Sequence, residues 1–217
     1  SLTYKPSSQL ENTFLPFVTP VVSTATADDG FGRRLTTTYA YRGGFYDGVA
    51  KEFDGFARVE VRDPDANVAI TEFHQDAQKK GRPLKTELRD ASNKLWTKSE
   101  PTWSVVQLFP GVNFVKLDQT DGFTCDGDDT CKQTRSSLEY DAFGNVTKTR
   151  AFGDVAVTGD EQQTFNDYAS NTSVWILGKL AHTKTTNAID ESGRTEAERW
   201  FYYDVRHPAN PGKPNIA

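Results

Sequence analysis

The 217 residues carry a net charge of -5, with Lys, Arg, Asp and Glu scattered rather than blocked. That excludes a nucleic-acid footprint, because phosphate binding needs a concentrated basic surface. Aromatic residues make up 12% of the chain, too many for a disordered sequence and suited to half-buried sheet. No stretch approaches the roughly 20 apolar residues of a membrane span, and the N-terminus lacks the basic, apolar and small-residue progression of a signal peptide. The absence of Met and the breaker-rich tail Pro208 to Pro214 read as an internal piece of a longer protein.

Short segments rich in Thr, Val, Tyr and Phe, separated by Asp/Gly/Asn clusters, predict an all-β fold. In chain order the expected strands are Phe17–Ala25, Leu35–Tyr41, Phe53–Arg62, Val68–His74, Leu84–Arg89, Leu95–Ser99, Trp103–Phe109, Asn113–Leu117, Gln133–Tyr140, Val146–Phe152, Gln162–Tyr168, Leu180–Asn187 and Glu198–Tyr203. Only Asp65–Lys80 and Ser170–Gly178 leave room for a helical turn. Alternation puts Tyr39 and Tyr41 on one face and Phe53 and Phe56 on opposite faces. These aromatics read as core, with a sugar-stacking platform that includes Trp96 and Trp103 as the alternative.

The connections share a layout. Segments opening at Asp29, Asp63, Asp90, Asp141 and Asp190 each reach Gly or Asn three or four residues later, just before a new strand. An Asp carboxylate accepts backbone N–H groups two residues on, and Gly or Asn tolerates the positive φ from which a return strand begins. The spacing is irregular, so successive hairpins are expected rather than a strict-period propeller or solenoid. A soft boundary near residue 120 divides a section 1–120 from a section 121–217. Cys125 and Cys131 enclose a turn-forming loop; a disulfide, which implies an oxidising compartment, is the favoured reading, and two reduced thiols the alternative.

The ordered stretches Pro20–Ser23, Asp28–Gly30, Thr36–Tyr41, Gly44–Gly48 and Glu52–Glu60 resemble the middle region of Tc-toxin B components, where a Tyr-rich strand, a G-(F/Y)-Y-D-G turn and an E-F-x-G-F-x-x-V strand recur in this order. Thr71–His74, Lys80–Leu84 and Trp175–Lys179 extend the resemblance, and Tyr140–Thr147 is similar to a YD repeat of Rhs proteins. Asp54 and Ala57 depart from the family pattern, and Tyr203-Asp204 runs into Val-Arg-His-Pro rather than a Gly-closed turn. The resemblance implies a twisted antiparallel strip of successive β-hairpins, part of a shell around a toxic C-terminal segment. Section 1–120 would be the middle-region part of that strip and section 121–217 the YD-repeat part. The residues expected to hold the wall together are Gly44, Tyr46, Asp47, Gly48, Phe53, Gly55, Phe56, Tyr140, Asp141 and Gly144.

Catalytic chemistry finds little support. His74, His182 and His207 have no metal-ligand spacing and no visible nucleophile partner. Asp47 and Asp54 form the best carboxylate pair for glycoside hydrolysis, yet each adjoins a glycine in turn chemistry. Asp118, Asp121, Asp126, Asp128 and Asp129 could gather around calcium, but their spacing departs from the EF-hand pattern. The expectation is a non-catalytic wall segment without cofactor, secreted or at the cell surface, partnered by the remaining Rhs/YD shell of the same or another chain. The alternative is an extracellular adhesin or carbohydrate-binding module, whose open edges could also pair between copies.

Overall fold

A computed structural model describes residues 1–11, 15–128, 130–190 and 192–203. Asp129, Asp204, His207 and the Pro208 to Pro214 tail lie outside the described residues. Thirteen strands follow one another in a single sheet whose spatial order is the chain order. They are β1 (Leu2–Pro6), β2 (Pro20–Asp28), β3 (Arg34–Asp47), β4 (Glu52–Arg62), β5 (Val68–Phe73), β6 (Pro83–Arg89), β7 (Leu95–Phe109), β8 (Val112–Thr124), β9 (Lys132–Tyr140), β10 (Val146–Asp154), β11 (Gln162–Asn171), β12 (Ile176–Thr186) and β13 (Thr195–Trp200). β1 and β13 are its two edges, so the sheet is not closed.

The room left for a helical turn holds no helix: Asp65–Lys80 contains β5 and a single turn closed by Lys80 N–H on the Asp76 carbonyl at 2.9 Å, Ser170–Gly178 spans the β11–β12 turn, and the helical element among the described residues is one 3-10 turn, Ser7–Gln9. One expectation needs correction: Leu95–Ser99 and Trp103–Phe109 are one strand, β7, which runs through Pro101. Its ladder with the short β6 ends at the Thr86–Ser99 pair, so the missing N–H of Pro101 falls beyond that ladder. β1, which the composition did not reveal, pairs with β2 between Leu2–Ala25 and Pro6–Pro20.

The chain divides into two compact units, one of Ser1–Pro101 with Gly122–Lys132 and the other of Thr102–Asp121 with Gln133 onward. In the first, the buried apolar residues are Val21, Val68, Ile70 and Cys125; in the second, Ala181 is accompanied by the polar Gln163, His182 and Thr186. A sheet buries its apolar face only against a second layer, and within each unit the strands belong to the one sheet. Large side chains therefore stay half-exposed: Leu84 is 46% and Leu88 42% accessible.

In the first unit the two faces differ in character. Registered pairs Arg58–Glu72 and Glu72–Lys85 across β4, β5 and β6 set up a run of ion pairs on one face. Arg58 Nε lies 2.9 Å from Glu60 and its Nη1 3.1 Å from Glu72, Lys85 Nζ 3.0 Å from Glu87, and Arg89 Nε 2.8 Å from Glu87. Val68 and Ile70 share this face by register and are buried there, consistent with cover by the aliphatic stems of the charged chains. The opposite face carries Tyr39, Tyr41, Val59, Val61, Thr71, Thr86 and Leu88 in register and is free of such ions.

Candidate functional site

The G-F-Y-D-G turn ends β3. Asp47 Oδ1 accepts the N–H groups of Val49 at 2.7 Å and Ala50 at 3.0 Å, and these bonds, Ala50 first, hold its carboxyl below the ordinary range. Beyond the turn, Tyr46 pairs with Phe53 and Gly44 with Phe56. Two steps on β3 thus oppose three on β4, and the extra residue is accommodated at Gly55, whose φ is +84°. This is a β-bulge, and it inverts the alternation expected for Phe53 and Phe56. Their rings meet edge to face with centroids 5.6 Å apart, Phe17 stands edge-on to Tyr46 at 5.5 Å and to Phe53 at 5.7 Å, and Tyr41 lies 5.1 Å from Phe56. None of these rings is fully buried, so the core reading gives way to a patch of aromatics packed on one another.

Gly44 is required by this patch. A Cβ there would sit 2.7 Å from Leu15 Cδ1 and 3.0 Å from Phe56 Cε1, whereas a Cβ on Gly48 would meet nothing within 4 Å. Gln75, which carries no sequence signal, donates from Nε2 to the carbonyls of Gly43 at 2.7 Å and Gly55 at 3.1 Å. It thereby ties the bulge to the chain beyond β5.

Asp54 does not converge with Asp47 on a cleft. Its side chain is 2% accessible and its Oδ1 lies 3.1 Å from Lys80 Nζ, without the alignment of a hydrogen bond, so the partner is the ammonium charge. Lys80 also contacts Glu52, and Glu52 first, then Asp54, raises the Lys80 pKa above its ordinary value. A carboxylate neutralised in this way is held as a structural ion.

The hairpin turns repeat one geometry. Asp29, Asp63, Asp90 and Asp141 each donate their own N–H to the carbonyl four residues on, at 3.2, 2.9, 3.0 and 3.0 Å. The residue three on, Gly32, Ala66, Asn93 or Gly144, has a φ of 93, 67, 65 or 87°, the left-handed position of a three-residue hairpin loop. Each Asp Oδ1 accepts the N–H four residues on, from Arg33, Asn67, Lys94 or Asn145 at 3.1, 2.8, 2.9 and 2.9 Å. The fifth expected turn differs: Asp190 accepts from Ser192, while Asn187 closes the wider loop through Arg194.

In the second unit the Asp141 turn is anchored at both ends. Asn145 Nδ2 bonds Asp141 Oδ2 at 2.8 Å and the Leu177 carbonyl at 2.9 Å; Gly178 admits it, since a Cβ there would lie 3.1 Å from Asn145 Oδ1. The Tyr140 hydroxyl donates to the Leu117 carbonyl at 2.9 Å. Tyr168 and Tyr203 do the same to Val146 at 3.0 Å and Leu180 at 2.9 Å. All three reach 22 or 23 residues back along the chain, so one stitch recurs across β8–β9, β10–β11 and after β13.

Cys125 and Cys131 are joined in a disulfide. Cys125 N–H donates to the Trp96 carbonyl at 2.8 Å and Gly127 N–H to Leu95 at 3.0 Å, which seats the loop on the start of β7. The double variant Cys125→Ser/Cys131→Ser is expected to lower stability by about 2 kcal/mol through the freed loop. Urea unfolding with and without reductant checks this, and an unchanged midpoint would speak against it.

Asp118 pairs with Lys116 at 2.7 Å and Asp121 with Arg135 at 2.7 Å, so these acids are engaged internally rather than gathered around a cation. Among the described residues no group of His, Cys, Asp and Glu is arranged to hold a metal. His74 lies 3.6 Å from Asp76. His182 bridges two carboxylates on neighbouring strands, an arrangement that sequence spacing did not disclose.

The family described as "Insecticide toxin TcdB middle/N-terminal region" matches residues 1–87. No curated protein matches the chain. The crystal structure titled TcdB2-TccC3-Cdc42 is similar with a TM-score of 0.71 and 15% identity, covering 86% of this chain and 14% of that one. TcdB2-TccC3 gives 0.71 and 14% identity with the same coverage. A Photorhabdus luminescens Tc holotoxin pore carrying a TccC3 mutation gives 0.69 and 15% identity over 80% of this chain and 13% of that one. The chain thus resembles the toxin family in sequence over its first 87 residues and these structures in fold over most of its length, and it spans about one seventh of the structures it resembles.

Proposed function

We propose that the chain is a non-catalytic structural β-wall segment of a large secreted Rhs/Tc-toxin-like protein that encloses or displays a toxic or effector segment. The observation that carries this reading is that, among the described residues, the strands of each unit belong to one open sheet on which many large apolar side chains stay exposed. Such a sheet is completed by further chain, here the remaining shell of the same or a partner protein. In this reading residues 1–120 supply a middle-region section and 121–217 a YD-repeat section. Gly44, Tyr46, Phe53, Gly55 and Phe56 build the aromatic patch and bulge of the first part, Asp47 closes its turn, and Tyr140, Asp141 and Gly144 lock the repeat hairpin. Gly48 has no steric demand on it and contributes through the turn alone.

Limited proteolysis of the longer protein tests the reading. The segment after the shell should resist protease in the intact protein and become cleavable when these 217 residues are replaced by a flexible linker; equal cleavage of both would reject an enclosing role. Glycan-array binding by the isolated chain, lost in Trp175→Ala, would favour the adhesin alternative, since Trp175 is 75% accessible.

A further inference from the structure

His182 lies in β12, is 8% accessible, and faces a carboxylate on each neighbouring strand. Nδ1 is 2.9 Å from Asp167 Oδ2 on β11, and Nε2 is 2.8 Å from Glu198 Oε1 on β13. The ring stacks on Trp200 of β13, centroids 3.9 Å apart and planes 19° apart. A neutral imidazole has one N–H and one lone pair, so it can donate to one carboxylate while turning a lone pair on the other; only the doubly protonated ring donates to both. The charged ring also gains from the indole face beneath it.

We propose that His182 is a protonation latch for β13: as imidazolium it staples β11, β12 and β13 together, and its deprotonation releases β13 first. β13 is the strand with most to lose. It is an edge, paired on one side from His182–Trp200 to Thr186–Thr195, and all six of its residues are exposed. When the ring loses its proton, one of the two charge-assisted bonds goes and two carboxylates are left around a neutral group.

Three cations share this face by register. Lys184 is one register step along β12, opposite Glu198 and Phe165. Lys148 and Arg150, on β10, are engaged with Glu139 at 3.4 and 2.6 Å. Burial opposes the charge on His182, but the bonds to Asp167 and Glu198 outweigh it and its pKa lies above the ordinary 6.5. A raised folded pKa gives stability that is complete below the unfolded value and is lost as pH rises through the folded one. The latch therefore holds in mildly acidic solution and opens on the alkaline side.

Hydrogen exchange of the 217-residue chain between pH 5.5 and 9.5, corrected for intrinsic rates, tests the latch. Protection of the β13 amides should fall by about tenfold for each pH unit by which folding raises the His182 pKa, while the β11–β12 ladder keeps its protection. In His182→Gln the β13 amides should be weakly protected at every pH. Protection of β13 that is flat across the range, or an identical fall in His182→Gln, would overturn the proposal. Should that variant fail to fold, NMR titration of the His182 ring decides: a midpoint above 6.5 supports the latch and one at or below it refutes it.

Discussion

Asp141→Ala should destabilise the second unit by about 2–3 kcal/mol, the range for hydrogen bonds to a charged acceptor whose donors are then left without a partner. The carboxylate receives Phe143 N–H at 2.8 Å, Asn145 N–H at 2.9 Å and Asn145 Nδ2 at 2.8 Å. Its removal also frees the Asn145 side chain that reaches Leu177, so the β9–β10 turn and the start of β12 loosen together. Asp141→Asn, which keeps one acceptor oxygen, should lose about half as much. Burial raises the Asp141 pKa, but the Asn145 side chain and the turn N–H groups lower it more, and the net shift is downward from 3.8. A depressed carboxylate stabilises above its unfolded pKa and loses that contribution as pH falls through its folded value. The gap between wild type and Asp141→Ala should accordingly be full at pH 7 and shrink below pH 3.8. Urea midpoints at pH 7 and pH 3 check both statements, and a gap independent of pH would show that the carboxylate charge is irrelevant to the turn.

Lys80→Ala should lower the stability of the first unit, because it removes the ammonium beside the buried Asp54 carboxylate and leaves that charge uncompensated. The loss arises at Asp54, whose side chain is 2% accessible, rather than at Lys80, which is 32% accessible. The second variant supplies the control. If the penalty is the orphaned Asp54 charge, Lys80→Ala/Asp54→Asn should be more stable than Lys80→Ala alone by at least about 1 kcal/mol, a coupling within the range of contacting residues. Additive losses would mean that Lys80 acts only through Glu52 and the aliphatic packing of its stem. Because Asp54 lies in β4 next to the bulge at Gly55, the damage should appear as increased exchange in β3 and β4.

The sequence discloses most of this architecture where one residue type has one job. Asp at the first turn position with Gly or Asn three or four on is a local pattern, and four of the five such turns close through that Asp as their spacing suggests. Alternation marks most of the strands, because a sheet with two half-exposed faces keeps its period of two. The signal fails where a local event shifts the phase. Gly55 adds one residue to β4, so Phe53 and Phe56 meet although their spacing alone separates them; a glycine inside a strand is itself a warning of a bulge. Pairings that depend on register are illegible in a single sequence. Asp167 and Glu198 are 15 and 16 residues from His182, and only the antiparallel alignment of three strands brings them to its two nitrogens. Gln75 and Lys80 are hidden likewise, since they act on backbone and carboxylates 20 or more residues away. Tyr140 stood out through its motif, but Tyr168 lacks the following Asp and its equal stitch appears only in the fold.

If each unit is an incomplete layer, as proposed above, further chain covers its open face. Hydroxyl-radical footprinting of the isolated chain against the longer protein tests it most directly. Leu84 and Leu88, 46% and 42% accessible, the second on the ion-free face by register, should react readily in the isolated chain and become several-fold protected in the longer protein. Equal reactivity of both leucines in the two samples would mean that nothing covers that face, and would contradict the account.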